Sequence, residues 1–167
     1  MLNFVTDVVN GKASLSIASL PLTLLISALP HWYTIYKAEA NKVQGGWSNE
    51  NPRSFVARLN AKAASGKVLS DVEAMILRGQ AAQQNGFEWW AVWAVAVVLG
   101  VQAKIPLAQM NQYTIIHVGC RLVYNYLYVT TRKRSLSYLR TIVFQASIFP
   151  AVAIFINAAR SLHEGGP

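Results

Sequence analysis

Long stretches without a single charge limit this chain more than any other feature. No Lys, Arg, Asp or Glu occurs from Ala13 to Tyr36, from Trp89 to Ala103 or from Thr141 to Ala159. Between Ile105 and Thr131 the one charge is Arg121. An α-helix rises about 1.5 Å per residue, so roughly 20 apolar residues cross a hydrocarbon core of about 30 Å. A chain that is 53% hydrophobic and 13% charged is too apolar for an ordinary soluble domain. We therefore expect an all-α integral membrane protein, one domain over residues 1–167 built as a four-helix bundle. The helices should lie at about 14–37, 70–103, 106–130 and 135–159, the second completing its span with the polar helix before Trp89. The first run is longer than the about 7–15 residues of a signal-peptide core, and Lys12 is offset by Asp7, so it reads as a span rather than a leader.

The charge of +8, from 15 basic and 7 acidic residues, is distributed by loop. With four spans, the first and third loops share one side of the membrane and hold Lys37, Lys42, Arg53, Arg58, Lys62, Lys67, Arg132, Lys133 and Arg134. The opposite side holds Lys12, Lys104 and Arg160. Basic loops stay cytosolic, which puts both termini in the lumen. The excess is a topology signal first and an attraction to anionic lipid second. No interleaving of basic and aromatic residues points to nucleic acid.

Polar residues inside these spans carry the functional information. Arg78, Asn85 and Glu88 sit at i, i+7 and i+10 of one helix, and Arg121, Tyr124 and Tyr128 at i, i+3 and i+7 of the next. Each set shares a face. Arg134, Ser135 and Tyr138 form a third group where the last helix begins. An ionisable residue at membrane depth costs several kcal/mol, so it faces the bundle interior and pairs or binds something. Two readings stay open: a buried ion-pair network among Arg78, Glu88 and Arg121, or a polar pocket for an anionic, peptide-like ligand. Ser70 and Glu73 fit a capping box at the start of the second span, whose first turns should stand in the cytosol. Gly45-Gly46 and Asn51-Pro52 read as turns, and Pro21 and Pro30 should bend the first helix.

Four motifs occur in order: "NPR" in the first loop, R-x6-N-x2-E (Arg78, Asn85, Glu88), R-x2-Y-x3-Y (Arg121, Tyr124, Tyr128) and R-S-x2-Y (Arg134, Ser135, Tyr138). Together they resemble the MAPEG family, membrane-associated proteins in eicosanoid and glutathione metabolism, over about residues 22–155. The resemblance implies a homotrimer in an endomembrane such as the endoplasmic reticulum, with glutathione bound between subunits near the cytosolic side. A lipophilic substrate would enter from membrane lipid. Asn85 and Glu88 would hold the tripeptide's backbone and amine. Arg121, Tyr124 and Tyr128 would line the site, with Arg78 supporting it by ion pairing. Arg134 would stand beside the sulfur as the catalytic residue, with Ser135 and Tyr138 near it. The chain departs from other members at Gln84 and Ala81, where some carry basic residues, and at Tyr124, where some have histidine. Lys37 is the nearest match to an arginine of the family's first helix.

The resemblance implies a glutathione-dependent transferase, peroxidase or isomerase acting on a lipophilic electrophile. Alternatives on the same fold are a glutathione-independent isomerase or cyclase of a hydrophobic metabolite, and a non-catalytic protein that presents lipid. The remaining residues read more plainly. His31 and His117 are packing residues; His117 and Cys120, at i and i+3, lack a third ligand for zinc, so no metal is expected. Cys120 is the only cysteine, which leaves no intramolecular disulfide. Trp89, Trp90 and Trp93 are expected to cover lipid or subunit surface, with a wall of the substrate cleft as the alternative for one of them.

Overall fold

A computed structural model describes residues 6–7 and 12–164, apart from the side chains at 134, 162 and 164. Its described elements are helical: α1 (Leu15–Ala40), a 3₁₀ turn (Val43–Gly45), α2 (Pro52–Ala64), α3 (Asp71–Gln102), α4 (Leu107–Thr130) and α5 (Arg134–Glu164). The four long helices pack together, with α1 on α3 and α4, α5 on α3 and α4, and α3 on α4. By length and composition, Leu15–Ala40 and Ser135–Ser161 can each cross a membrane. α3 and α4 fall short of that test because polar residues such as Arg78, Asn85, Asn111 and Arg121 interrupt them. Large apolar side chains face outward all round, among them Leu25, Val98, Ile115, Ile142 and Phe149. Exposed apolar surface on that scale marks contact with lipid or another subunit.

Small residues bring α1 and α3 together. Gly79, Gly86, Trp93 and Gly100 recur every seven residues along α3, all buried. A repeat of seven keeps one seam of a helix against its neighbour. A Cβ added at Gly79 would collide with Thr34 Cγ2, and one at Gly86 would lie 2.7 Å from Ser27 Cβ and 3.1 Å from its Cα. The facing stripe of α1 is Ser16, Ser19, Thr23, Ser27 and Thr34, all buried. Ser19, Thr23, Ser27 and Thr34 donate their hydroxyls to carbonyls of their own helix at 2.6–2.8 Å, so the stripe is small and internally satisfied. Close backbone approach through such residues suits helices in lipid, where no hydrophobic effect drives them together. Gly86→Val should therefore cost about 2 kcal/mol or more by overpacking against α1, seen as a lowered midpoint of thermal unfolding in detergent. Unchanged stability would mean that α1 and α3 do not meet there.

Proline in α1 is absorbed rather than helix-breaking. Pro30 has no N–H to give Ile26 O, and the side-chain amide of Asn125 on α4 donates to that oxygen at 2.8 Å. Near the N-terminus of α1, Leu15 N donates to Asn111 Oδ1 at 2.9 Å and Ser16 Oγ to Met110 O at 3.1 Å, which registers α1 against α4.

One end of the molecule is roofed by α2. Asn51 does not turn the chain away from helix; it caps α2 by accepting from Ser54 N at 3.1 Å, with Pro52 in the first turn. Phe55 and Leu59, both fully buried, join Trp47, Met75 and Ile76 in one apolar cluster. α3 starts on a capping box, Ser70 Oγ accepting from Glu73 N and Glu73 accepting from Ser70 N. The Lys62 amine donates to both Glu73 oxygens at 2.7 and 2.8 Å, tying α2 to α3. That cation, with the Ser70 N–H, holds the Glu73 carboxyl below the usual carboxylate range.

Candidate functional site

The sequence-derived candidates gather where α3, α4 and α5 meet, though not as one cluster. Arg121 is buried in the middle of α4. Its Nη1 donates to Asn85 Oδ1 on α3 at 3.0 Å, while its Nη2 is buried with no hydrogen-bond partner. Its guanidinium also lies over the Tyr124 ring, 4.8 Å from the centroid. Tyr124 meets Tyr128 edge-on at 5.3 Å, and the Arg140 guanidinium covers the Tyr128 ring at 4.1 Å. The i, i+3, i+7 spacing on α4 thus becomes a ladder of cation, phenol, phenol, cation, closed at its far end by α5. Phe144 packs on Tyr124 at 5.5 Å and on Trp89 at 5.4 Å, giving the ladder an apolar flank.

Arg121 is buried without an ion-pair partner among the described residues. The ion pairs among the described residues are Lys42–Glu39, Lys62–Glu73 and Arg132–Asp71, so none of them engages Arg121. An arginine buried among apolar side chains without a carboxylate is costly and calls for an anion. The network of Arg78, Glu88 and Arg121 does not form. Glu88 is exposed and accepts from Gln84 Nε2 at 3.0 Å, one turn back on its own helix. Arg78 donates from Nε to Val129 O at 3.2 Å, where it ties down the last turn of α4. Its support for the site is thus a backbone hydrogen bond rather than an ion pair.

The third group stands apart. Ser135 is exposed, and Tyr138 is 63% exposed, with no hydrogen bond or ring contact among the described residues. Arg134 begins α5, and its side chain lies outside the described residues. Arg132, two residues earlier, is held by Asp71 at the start of α3 at 2.6 Å. Glu88, Ser135 and Tyr138 therefore face the outside of a single chain, whereas Arg121 and Tyr124 are covered by it and Asn85 is half-buried.

Two features lay beyond the sequence reading. Arg140 was not among the candidates, although a cation immediately before the uncharged run from Thr141 to Ala159 is itself a signal of an interior role. Trp93 does not cover lipid or subunit surface. It is fully buried, donates from Nε1 to Ser19 Oγ at 2.9 Å and stacks on His117 at 4.1 Å. Its place in the seven-residue seam of α3 turns it inward. His117 accepts that stack and contacts Ser147 O through Nδ1 at 2.8 Å, which fixes α4 against α5 near Pro150. Trp90 donates to Leu20 O at 2.8 Å.

The model of the MAPEG family matches residues 17–160. No curated protein and no solved structure matches the chain.

Proposed function

Because this chain belongs to the MAPEG family, a membrane family, we propose that it is a glutathione-dependent membrane enzyme, a transferase, peroxidase or isomerase acting on a lipophilic electrophile. The observation that carries the reading is Arg121: a buried guanidinium with one nitrogen unpartnered, beside an asparagine and two tyrosines. That set fits an anionic peptide. The guanidinium grips a carboxylate, Asn85 serves amide groups and the phenols donate hydrogen bonds.

Glutathione, when bound, supplies a thiol nucleophile in its ionised form. Asn85 and Glu88 hold the peptide and its amine, and Arg121 with Tyr124 and Tyr128 line the site. Arg134 stabilises the negative sulfur, since a fixed nearby cation favours a thiolate. Ser135 and Tyr138 would hydrogen-bond near the same atom. Arg140 orients the ladder through the Tyr128 ring.

The exposure of Glu88, Ser135 and Tyr138 supports a site completed by a second copy of the chain. We place it at the seams of a homotrimer whose four long helices all lie in the membrane. The first and third loops face the cytosol, the termini face the lumen, and the endoplasmic reticulum is the expected location. Titration of the detergent-solubilised protein with glutathione should give saturable binding, and native mass spectrometry should give a trimer. A protein that is only monomeric, or that binds no glutathione, would remove the shared site.

A further inference from the structure

Between α1, α2 and α3 lies a cavity of about 640 Å³, within the range of small-molecule sites. One wall is a single face of α2, with Arg53, Ala57 and Asn60 at i, i+4 and i+7. The facing wall is α3, with the carboxamides of Gln80, Gln83 and Gln84. Arg53, exposed like Ala57 and Asn60 on the same face, is the one Lys, Arg, Asp or Glu among the lining residues, so the cavity carries a cation and no carboxylate. Among the described residues, Arg53, Asn60 and Gln83 have no hydrogen-bond or ion-pair partner.

The position of Arg53 is built rather than incidental. Asn51 caps α2, and Phe55 and Leu59 pin the opposite face of that helix under the molecule's end cluster. The N-terminus of α2 adds its own partial positive charge beside Arg53. Carboxamides both donate and accept, so they match a ligand bearing amide N–H groups as well as an anion. The cavity also leads toward the site already described. Leu77, Gln84 and Glu88 follow one stripe of α3, and Gln84 bonds Glu88 at 3.0 Å.

We propose that this cavity receives one carboxylate end of the peptide ligand, with Arg53 as its anchor and Gln83 and Asn60 reading the adjoining amide, while Gln80 is held by His31 and Thr34. The proposal rests on the glutathione reading and adds a positioning residue from α2 to it. The anchor lies away from the sulfur, so it governs affinity and ligand choice rather than thiol ionisation.

The test is binding to the full chain in detergent. Arg53→Gln should weaken glutathione by about 10-fold or more, as expected for loss of a charged hydrogen bond. Arg53→Lys should recover part of that loss. Glutathione with either its glycyl or its glutamyl carboxyl converted to the amide should show the pairing. One of the two amides binds the parent more weakly, and Arg53→Gln weakens that amide no further. Glutathione binding by Arg53→Gln within about twofold of the parent, or equal additional losses for both amides, would overturn the anchor while leaving the glutathione reading intact. A thiol-free tripeptide, with the cysteine side chain replaced by an ethyl group, separates the two claims. Trp47 lines the cavity, so tryptophan fluorescence should change saturably with that tripeptide in the parent, with a midpoint about 10-fold or more higher in Arg53→Gln, and Trp47→Phe should remove that part of the change. No change in the parent would sink the cavity as a carboxylate site. Tripeptide binding without glutathione-thiol ionisation would sink the enzyme reading alone.

Discussion

Arg121→Met is expected to cut glutathione affinity about 100-fold while leaving the ligand-free protein within about 1 kcal/mol of the parent. Two opposing terms set that balance. Removing the arginine leaves Asn85 Oδ1 without its 3.0 Å donor, a loss of about 1–3 kcal/mol. It also relieves a buried cation that has no described carboxylate partner and one nitrogen with no hydrogen bond. Replacing a buried charge with an apolar side chain of similar length is often neutral or stabilising. Binding has no such compensation, because the guanidinium is the one buried cation facing Asn85 and Tyr124. Titration and thermal unfolding on the same preparation read both quantities. A protein that unfolds several kcal/mol more easily and still binds glutathione normally would make Arg121 structural.

The other large effect belongs to Arg134. Arg134→Ala should lower kcat about 100-fold, near 2.7 kcal/mol of lost transition-state stabilisation, with glutathione affinity changed far less. A free thiol has a pKa near 8.5, so only a few per cent is thiolate at neutral pH. A cation beside the sulfur supplies the difference, and arginine keeps its charge at every working pH. Arg134→Lys should restore only part of the rate, since an ammonium lacks the planar fork. Glu88→Ala should show the opposite split, weaker binding with little loss of kcat at saturation, because the proposed role of Glu88 is to hold peptide and not sulfur. Equal losses of kcat and affinity in both variants would merge the two roles assigned to these residues.

How much of this the sequence reveals depends on how local each feature is. The capping box at Ser70 and Glu73 is legible because it needs four consecutive residues and nothing else. Asn51-Pro52 carries equally local chemistry, but a proline after asparagine serves a turn or a capped helix start alike. Only the burial of Phe55 and Leu59 decides for helix. Periodicity puts Arg121, Tyr124 and Tyr128 on one face of α4, and the ladder keeps that face. It could not say that Arg121 would meet Asn85 while Glu88 turned outward. Partner choice depends on the rotation and axial register of two helices, which neither sequence encodes by itself. Trp93 shows the same limit from the other side. Its tryptophan neighbours suggest a membrane surface, whereas the seam of Gly79, Gly86 and Gly100 carries it into the core.

Ultraviolet difference absorbance on mixing the detergent-solubilised protein with glutathione tests thiol activation most directly, because it sees the thiolate itself without needing the electrophile. At saturating glutathione and neutral pH, the parent should develop the thiolate band and Arg134→Ala should bind glutathione with the band largely lost. A parent that binds glutathione and shows no thiolate, or an Arg134→Ala variant with an undiminished band, would contradict thiol activation at this site.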